Sequence, residues 1–232
     1  MESRNVFITG GTGYMGRRLI PELLARGHTV RALVRPGSQS KLPAGAAPIT
    51  GNALDASTFA AQVSPADTFV QLVGVAHPSP AKAEQFRTID LPAALAGIGA
   101  ARQAGIRHFV YVSVAHPAPM MHAFIAVRVE AEQYLRASGL SSTVLRPWYV
   151  LGPGHRWPYL LIPFYAVAKR LSSTREGARR LGLVSLRQMI AALLWAIENP
   201  APQPRILGVP EIRSLPLLHD VAKSSPADLV VR

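Results

Sequence analysis

Apolar residues along this chain fall into short continuous runs separated by longer stretches with helical periodicity. The first run centres on Val6-Phe7-Ile8 and predicts a strand over residues 5–9, followed by a helix over 13–26. Gly27 stands just past that helix, where a glycine commonly caps. A Val- and Leu-rich strand over 29–35 is broken by Pro36-Gly37-Ser38. A short strand is expected over 47–50, and a short helix over 55–63 with Asp55 at its N-cap. Residues 68–74 (TFVQLVG) read as a buried strand, and 81–104 as a long Ala-rich helix ending at Gly105. Pro92 falls inside that helix, so a kink or imperfect turn is expected there. A strand over 108–113, a helix over 121–137 closed by Ser138-Gly139, and a strand over 141–146 complete the regular part.

Strands alternating with helices at this spacing imply parallel β-α-β units in an α/β, doubly wound sheet. The strands are continuously apolar rather than alternating, which suits a sheet covered by helices on both faces. After Pro147 the pattern loosens. Residues 157–168 (WPYLLIPFYAVA) are apolar but interrupted by Pro158 and Pro163; 185–199 is an amphipathic helix and 205–209 a possible late strand. The organisation expected is a core over 1–154 and a small cap over 155–232, packed on the same domain at the carboxyl edge of the sheet, where open α/β sheets bind ligands. The tail from Ser214 is weakly patterned.

Between the first strand and its helix lies Thr9-Gly10-Gly11-Thr12-Gly13-Tyr14-Met15-Gly16. Strand, glycine turn and helix in that order are the setting of a dinucleotide site. Glycine lets the chain turn sharply and lets backbone approach a pyrophosphate, which the N-terminus of the next helix then holds. The spacing G-x-x-G-x-x-G, through Gly10, Gly13 and Gly16, places Thr12, Tyr14 and Met15 beside the phosphates of a Rossmann-type cofactor. At the end of the second strand an acid would hold an adenosine 2′-hydroxyl; this chain has Arg35, nineteen residues after Gly16, with no Asp or Glu nearby. A guanidinium matches a 2′-phosphate, so NADP(H) is expected over NAD(H), with Ser38 adding a hydroxyl. The plainer reading is that Arg35 ends an exposed strand. Asn52, Ala53 and Leu54 after the third strand are expected at the adenine, and Leu72, Val73 and Gly74 after the fourth near the cofactor; plain turns are the alternative for both.

Composition narrows the chemistry. The 232 residues, 49% hydrophobic, suit one sizeable domain. There is no cysteine, which excludes disulfides, thiolate metal sites and thiol nucleophiles. With the first strand so close to Met1 no signal peptide is expected, and with no long apolar run no transmembrane helix, so a cytoplasmic location is expected. The net charge is +12. Its densest block runs from Arg156 to Arg187, seven basic residues against Glu176. It is either a solvated basic face or a docking surface for an anionic partner. Specific nucleic-acid binding is not expected, and the chain is read as a monomer or homodimer. No metal is expected, since His116 and His122 lack an acidic third partner nearby.

The chain resembles the short-chain dehydrogenase/reductase superfamily, and more narrowly its atypical branch of NmrA-like and NAD(P)-binding, epimerase-like proteins. The resemblance rests on TGGTGYMG, on Arg35, on YVSVAHP at 111–117 and on LRPWYVLGPG at 145–154, and spans Asn5 to about Ile212. It implies that Pro147, Trp148, Tyr149 and Val150 line the nicotinamide pocket. It also implies a catalytic Ser after the fifth strand and a Tyr-x-x-x-Lys in the next helix. Such a tyrosine, on one helix face with the lysine, exchanges the proton that accompanies hydride transfer. Ser113 matches the serine, but Phe124 and Arg128 stand at the Tyr and Lys positions. Phenylalanine has no proton to give, and arginine does not deprotonate. His116, His122 and Tyr149 are the candidates to replace the phenol; ordinary loop residues are the alternative for the histidines.

Three functions follow in order. The first is an NADPH-dependent oxidoreductase acting on a small apolar carbonyl, enone or quinone-like substrate, with solvent able to protonate a quinone or enone product. The second is an NADP(H)-sensing regulator or a cofactor-stabilised assembly subunit. The third is a sugar-nucleotide epimerase, which would normally want the Tyr-Lys pair and a longer chain. The apolar stretch 157–168 reads as core packing, as the lining of a hydrophobic substrate pocket, or as a membrane-surface segment.

Overall fold

A computed structural model of the chain describes residues 2–153 and 180–217. Its strands are β1 (Asn5–Thr9), β2 (Thr29–Val34), β3 (Ala47–Thr50), β4 (Thr68–Gln71), β5 (His108–Val112), β6 (Ser142–Leu145), β7 (Tyr149–Leu151), β8 (Leu183–Ser185) and β9 (Arg205–Leu207). Its longer helices are α1 (Gly16–Ala25), α2 (Leu91–Gln103), α3 (His122–Ala137), α4 (Leu186–Glu198) and α5 (Val209–Ser214). Seven strands make one sheet in the order β3-β2-β1-β4-β5-β6-β9, every pairing parallel. This is the Rossmann-like, doubly wound sheet expected from the alternation. The order reverses between β1 and β4, so their carboxyl ends open a crevice.

Parallel register builds the core. Phe7 lies opposite Phe69, and Phe69 opposite Phe109, so three consecutive strands present phenyl rings in a row. Their centroids are 5.2 and 5.1 Å apart and all three are fully buried. Burying each ring contributes about 1.5–3 kcal/mol, and each ring pair about 0.5–1.5 kcal/mol more. This face is covered by α2 and α3 through Ile98, Val127 and Leu135. The opposite face packs Val6, Ile8 and Val110 against Leu19 and Leu23 of α1 and Met189 and Leu193 of α4. Helix α4 starts on a capping box in which Ser185 and Gln188 satisfy each other's backbone donors.

Several boundaries differ from expectation, each for a local reason. Helix α1 begins at Gly16 rather than residue 13, because the Gly13 N–H bonds back to Gly10 O at 2.9 Å and keeps 13–15 in the turn. The stretch 55–63 is two 3-10 turns rather than a helix. Asp55 does accept from Ser57 N, but Phe59 leaves helical geometry at φ −145° to bury its ring. The long helix expected over 81–104 is interrupted before Pro92 by a π-turn, Phe86–Asp90, in which Leu91 N bonds to Phe86 O. Proline cannot donate into the ladder, and the wider turn absorbs the loss. Strand β4 stops at Gln71, three residues early. Gly27, Gly105 and Gly139 all take the left-handed conformation that ends a helix. Strands β7 and β8, only three residues each, form a separate parallel pair that the sequence pattern did not signal. Most of the cap, and most of the basic block, lies outside the described residues.

Candidate functional site

A cleft of about 850 Å³ runs along the carboxyl ends of β1, β2, β4 and β5 and under the segment that follows β6. That volume is within the range of cofactor sites, about 300–1,000 Å³. One end is built by the glycine turn. Gly10 has φ +76°, and a side chain there would meet the Leu72 backbone at 2.9 Å, so the ends of β1 and β4 touch only because Gly10 is bare. At Gly16 a Cβ would lie 2.5 Å from Gly10 O, so α1 can start against the turn only from a glycine. Gly10, Thr12, Gly13, Tyr14, Met15 and Gly16 all line the cleft. Bare backbone at the start of a ten-residue helix suits a phosphate group, by its N–H donors and helix dipole.

The other expected contacts converge on the same cleft. Arg35 leaves the end of β2 exposed and lines it, as do Asn52, Ala53 and Leu54 after β3 and Leu72, Val73 and Gly74 after β4. Ser113, Phe124, Arg128, Pro147, Trp148, Tyr149 and Val150 close its far end. Arg17, in the first turn of α1, also lines it and was not singled out from the sequence, although its place beside the glycine turn was a usable signal. No Asp or Glu is among the described residues that line the cleft, whereas Arg17, Arg35 and Arg128 are.

Three sequence candidates sit elsewhere. Ser38 lies at the turn after β2, with its N–H bonded to Arg35 O at 3.0 Å, and does not reach the cleft wall. His122 is the exposed first residue of α3 and does not line the cleft. His116 turns behind the sheet end, its Nε2 3.9 Å from Glu132 Oε1. Burial, helped by the Arg146 charge, pushes the His116 imidazole below its ordinary range. After β5 the chain lines the cleft through Val114 and again at Met121, so His116 falls between these two stretches and His122 just past the second.

At the far end, the groups that would do chemistry are tied to the protein. Arg128 is buried, and its Nη2 donates to Asp90 Oδ2 at 2.8 Å. Its Nη1 donates to Val112 O at 2.9 Å and to the Tyr111 hydroxyl at 3.2 Å. Asp90, at the end of the π-turn, accepts from Val75 N at 2.7 Å through its other oxygen. Burial raises the Asp90 carboxyl above its usual range even though Arg128 and the Val75 N–H pull it down. Gly74 is needed beside this pair, because a Cβ there would sit 2.6 Å from Arg128 Nη2. Ser113 is engaged likewise: its Oγ donates to Glu132 Oε1 at 2.5 Å. Arg146 holds that carboxylate with two N–H donors, through Nε at 3.1 Å and through Nη2. Asp90 and Glu132 were missed from the sequence. Each pairs with a residue distant in the chain, which no local pattern announces.

Tyr149 keeps its place at the cleft wall, its ring edge-on to Trp148 at 5.5 Å. Burial pushes its phenol up, so it stays protonated through neutral pH. Val75, which continues the strand-four end expected near the cofactor, lines the cleft as well, as do Ala76, His77 and Pro78, which were missed. Among the described residues there is no group of three or more side chains able to hold a metal ion, and no helix long and apolar enough to cross a membrane.

Comparison with known proteins agrees with this architecture. A family model described as NAD(P)H-binding matches residues 10–157. A ketoreductase of 4-hydroxy-2-methyl-3-oxo-4-farnesyl-3,4-dihydroquinoline-1-oxide from Stigmatella aurantiaca is 30% identical over 168 residues, covering 63% of this chain and 50% of its own. A ceramide reductase from Caulobacter vibrioides is 29% identical over 151 residues, covering 64% of this chain and 47% of its own. The chain therefore spans about half the length of these curated relatives. Among solved structures, the Bordetella bronchiseptica enzyme WbmH in complex with NAD+ superposes with a TM-score of 0.66 at 19% identity, covering 88% of this chain and 75% of that one. At that identity the likeness speaks for the fold.

Proposed function

This chain belongs to the NAD(P)H-binding family, and from that premise we propose that it is an NADP(H)-dependent oxidoreductase acting on a small, largely apolar carbonyl, enone or quinone-like substrate. One observation carries the reading. A single cleft joins a phosphate-binding turn and Arg35 to a pocket walled by Val75, Ile89, Met121, Phe124 and Trp148. The absence of carboxylates from the described cleft wall favours the extra phosphate of NADP(H) over a 2′-hydroxyl, which an acid would hold. Two relatives are named for reductions of a farnesyl-bearing dihydroquinoline oxide and of ceramide, which fits an apolar substrate.

A reduced nicotinamide bound in this cleft would supply a hydride. The protein's part is then to bind and orient. The glycine turn takes the pyrophosphate, with Arg17 and Arg35 adding positive charge. The Asp90–Arg128 pair fixes the β4 exit through Val75 N and so shapes this wall of the cleft. Phe124, with a ring 5.0 Å from the Arg128 guanidinium, contributes an apolar surface where the family's phenol would stand. Quinone and enone acceptors demand the least from such a site, since solvent can protonate the product.

The commitment of Ser113 to Glu132 and of Arg128 to Asp90 favours a second reading, a non-catalytic NADP(H) sensor or a cofactor-stabilised subunit. A steady-state screen of NADPH oxidation against quinones, enones and aldehydes separates the two. Turnover with at least one acceptor is expected. Tight NADPH binding with no oxidation by any of them would give preference to the sensor.

A further inference from the structure

The geometry points to His77 as the proton donor to the substrate oxygen at this site, an assignment that rests on the oxidoreductase reading above. His77 is the histidine among the described residues that line the cleft, while His116 and His122 are not part of its wall. It belongs to the segment 75–78 after β4, whose Val75 packs against the same apolar cluster as Met121 and Phe124, the residue that stands in place of a phenol. Its side chain is exposed to the cleft and to solvent.

The backbone there is held in a conformation that costs free energy. His77 has φ +50°, and the other non-glycine residue with positive φ, Met121 at +62°, also lines the cleft. Such a conformation in a non-glycine residue costs on the order of 1–3 kcal/mol and persists only where neighbours enforce it. Here they are visible on the N-terminal side of His77: Asp90 accepts from Val75 N at 2.7 Å, and Lys82 Nζ donates to Ala76 O at 2.6 Å. The fold thus fixes the two residues before His77 and presents the imidazole along the cleft wall. Charged groups that contact this segment include Lys82 from the following turn and Asp90, itself paired with Arg128 of α3; Tyr149 of β7 lines the same cleft.

The step balances. Hydride adds to the carbonyl carbon, or to the conjugate position of an enone or quinone, and the electron pair of the broken π bond moves to oxygen. That oxygen takes the proton of the His77 imidazolium, leaving neutral imidazole, which regains a proton from solvent through its exposed edge. Ser113 donates its hydrogen to Glu132, and Arg128 keeps its protons.

The test is kcat against pH at saturating NADPH, with an acceptor found in the screen, for wild type, His77→Asn and Tyr149→Phe. Asparagine tolerates positive φ and so preserves the backbone while removing the acid. For wild type, kcat is expected to fall as pH rises and the donor loses its proton. His77→Asn should lower kcat by about 100-fold or more and flatten that limb, since a positioned acid contributes about 10²–10⁴-fold. NADPH affinity, read by fluorescence titration, and the melting temperature should stay at the wild-type values. A His77→Asn protein with wild-type kcat and pH profile would overturn the assignment, as would loss of activity in Tyr149→Phe alone, which would make the phenol the donor. Absence of turnover in wild type with every acceptor would overturn the oxidoreductase reading itself, and this assignment with it.

Discussion

The two ends of the cleft are built from different materials. One end is backbone, with glycines at 10, 13 and 16 and the first turn of α1, and it carries Arg17 and Arg35 on its wall. The far end is a buried electrostatic network, in which Arg128, Asp90, Glu132 and Arg146 join α3, the π-turn and the exits of β4, β5 and β6. The difference teaches that the two ends of one cleft are held in shape by different means, bare backbone at one and buried ion pairs at the other. A change at the first end should alter what binds; a change at the second should first alter whether the protein stays folded.

The largest effect should come from the buried pair. Removing one partner leaves an uncompensated charge, so Arg128→Met or Asp90→Asn should lower the unfolding free energy by about 3–5 kcal/mol in urea titrations. Replacing both residues together should cost less than the sum of the single changes. If Arg128→Met unfolds like wild type, the far end is not the structural element described.

A pH effect of similar size belongs to His108. Burial, with the charges of Arg205 and Arg4 adding to it, lowers this imidazole to about 4. The unfolded chain therefore takes up a proton before the folded one does. The stability contributed is complete above the ordinary histidine range and is lost as pH falls toward 4, by roughly 3 kcal/mol. Urea titrations of wild type and His108→Gln at neutral and acid pH should show a shallower acid loss in the variant.

Effects at the phosphate end should be smaller on stability and larger on binding. Gly16→Ala places a methyl 2.5 Å from Gly10 O and forces the turn to move. A destabilisation of about 1–3 kcal/mol and loss of NADPH binding are expected, read by thermal melts and fluorescence titration. Arg35→Ala should leave the fold intact and weaken NADPH about tenfold, near 1.4 kcal/mol, while NADH affinity is unchanged.

The same contrast explains what could be read in advance. Glycine turns and helix stops are local, so Gly10–Gly16, Gly27, Gly105 and Gly139 marked their places from the sequence, and Arg35 and the Pro147 segment were placed at the right strand ends. Asp90 was hidden because its role depends on a π-turn forced by Pro92 and on a partner thirty-eight residues away. Glu132 read as one more polar position on a helix; only the packing of α3 against β5 and β6 turns it toward Ser113 and Arg146. His116 and His122 drew attention through proximity in sequence to α3, whereas the path of the chain after β4 brought His77 to the cleft instead.

The glycine turn and Arg35 together form the NADP(H) site we propose. Equilibrium titration of the wild-type protein with NADPH and NADH in parallel, followed by fluorescence, tests it most directly. Saturable binding of both is expected, with NADPH tighter by about tenfold or more. Equal affinity for the two would contradict the role given to Arg35, and no binding of either would contradict the site.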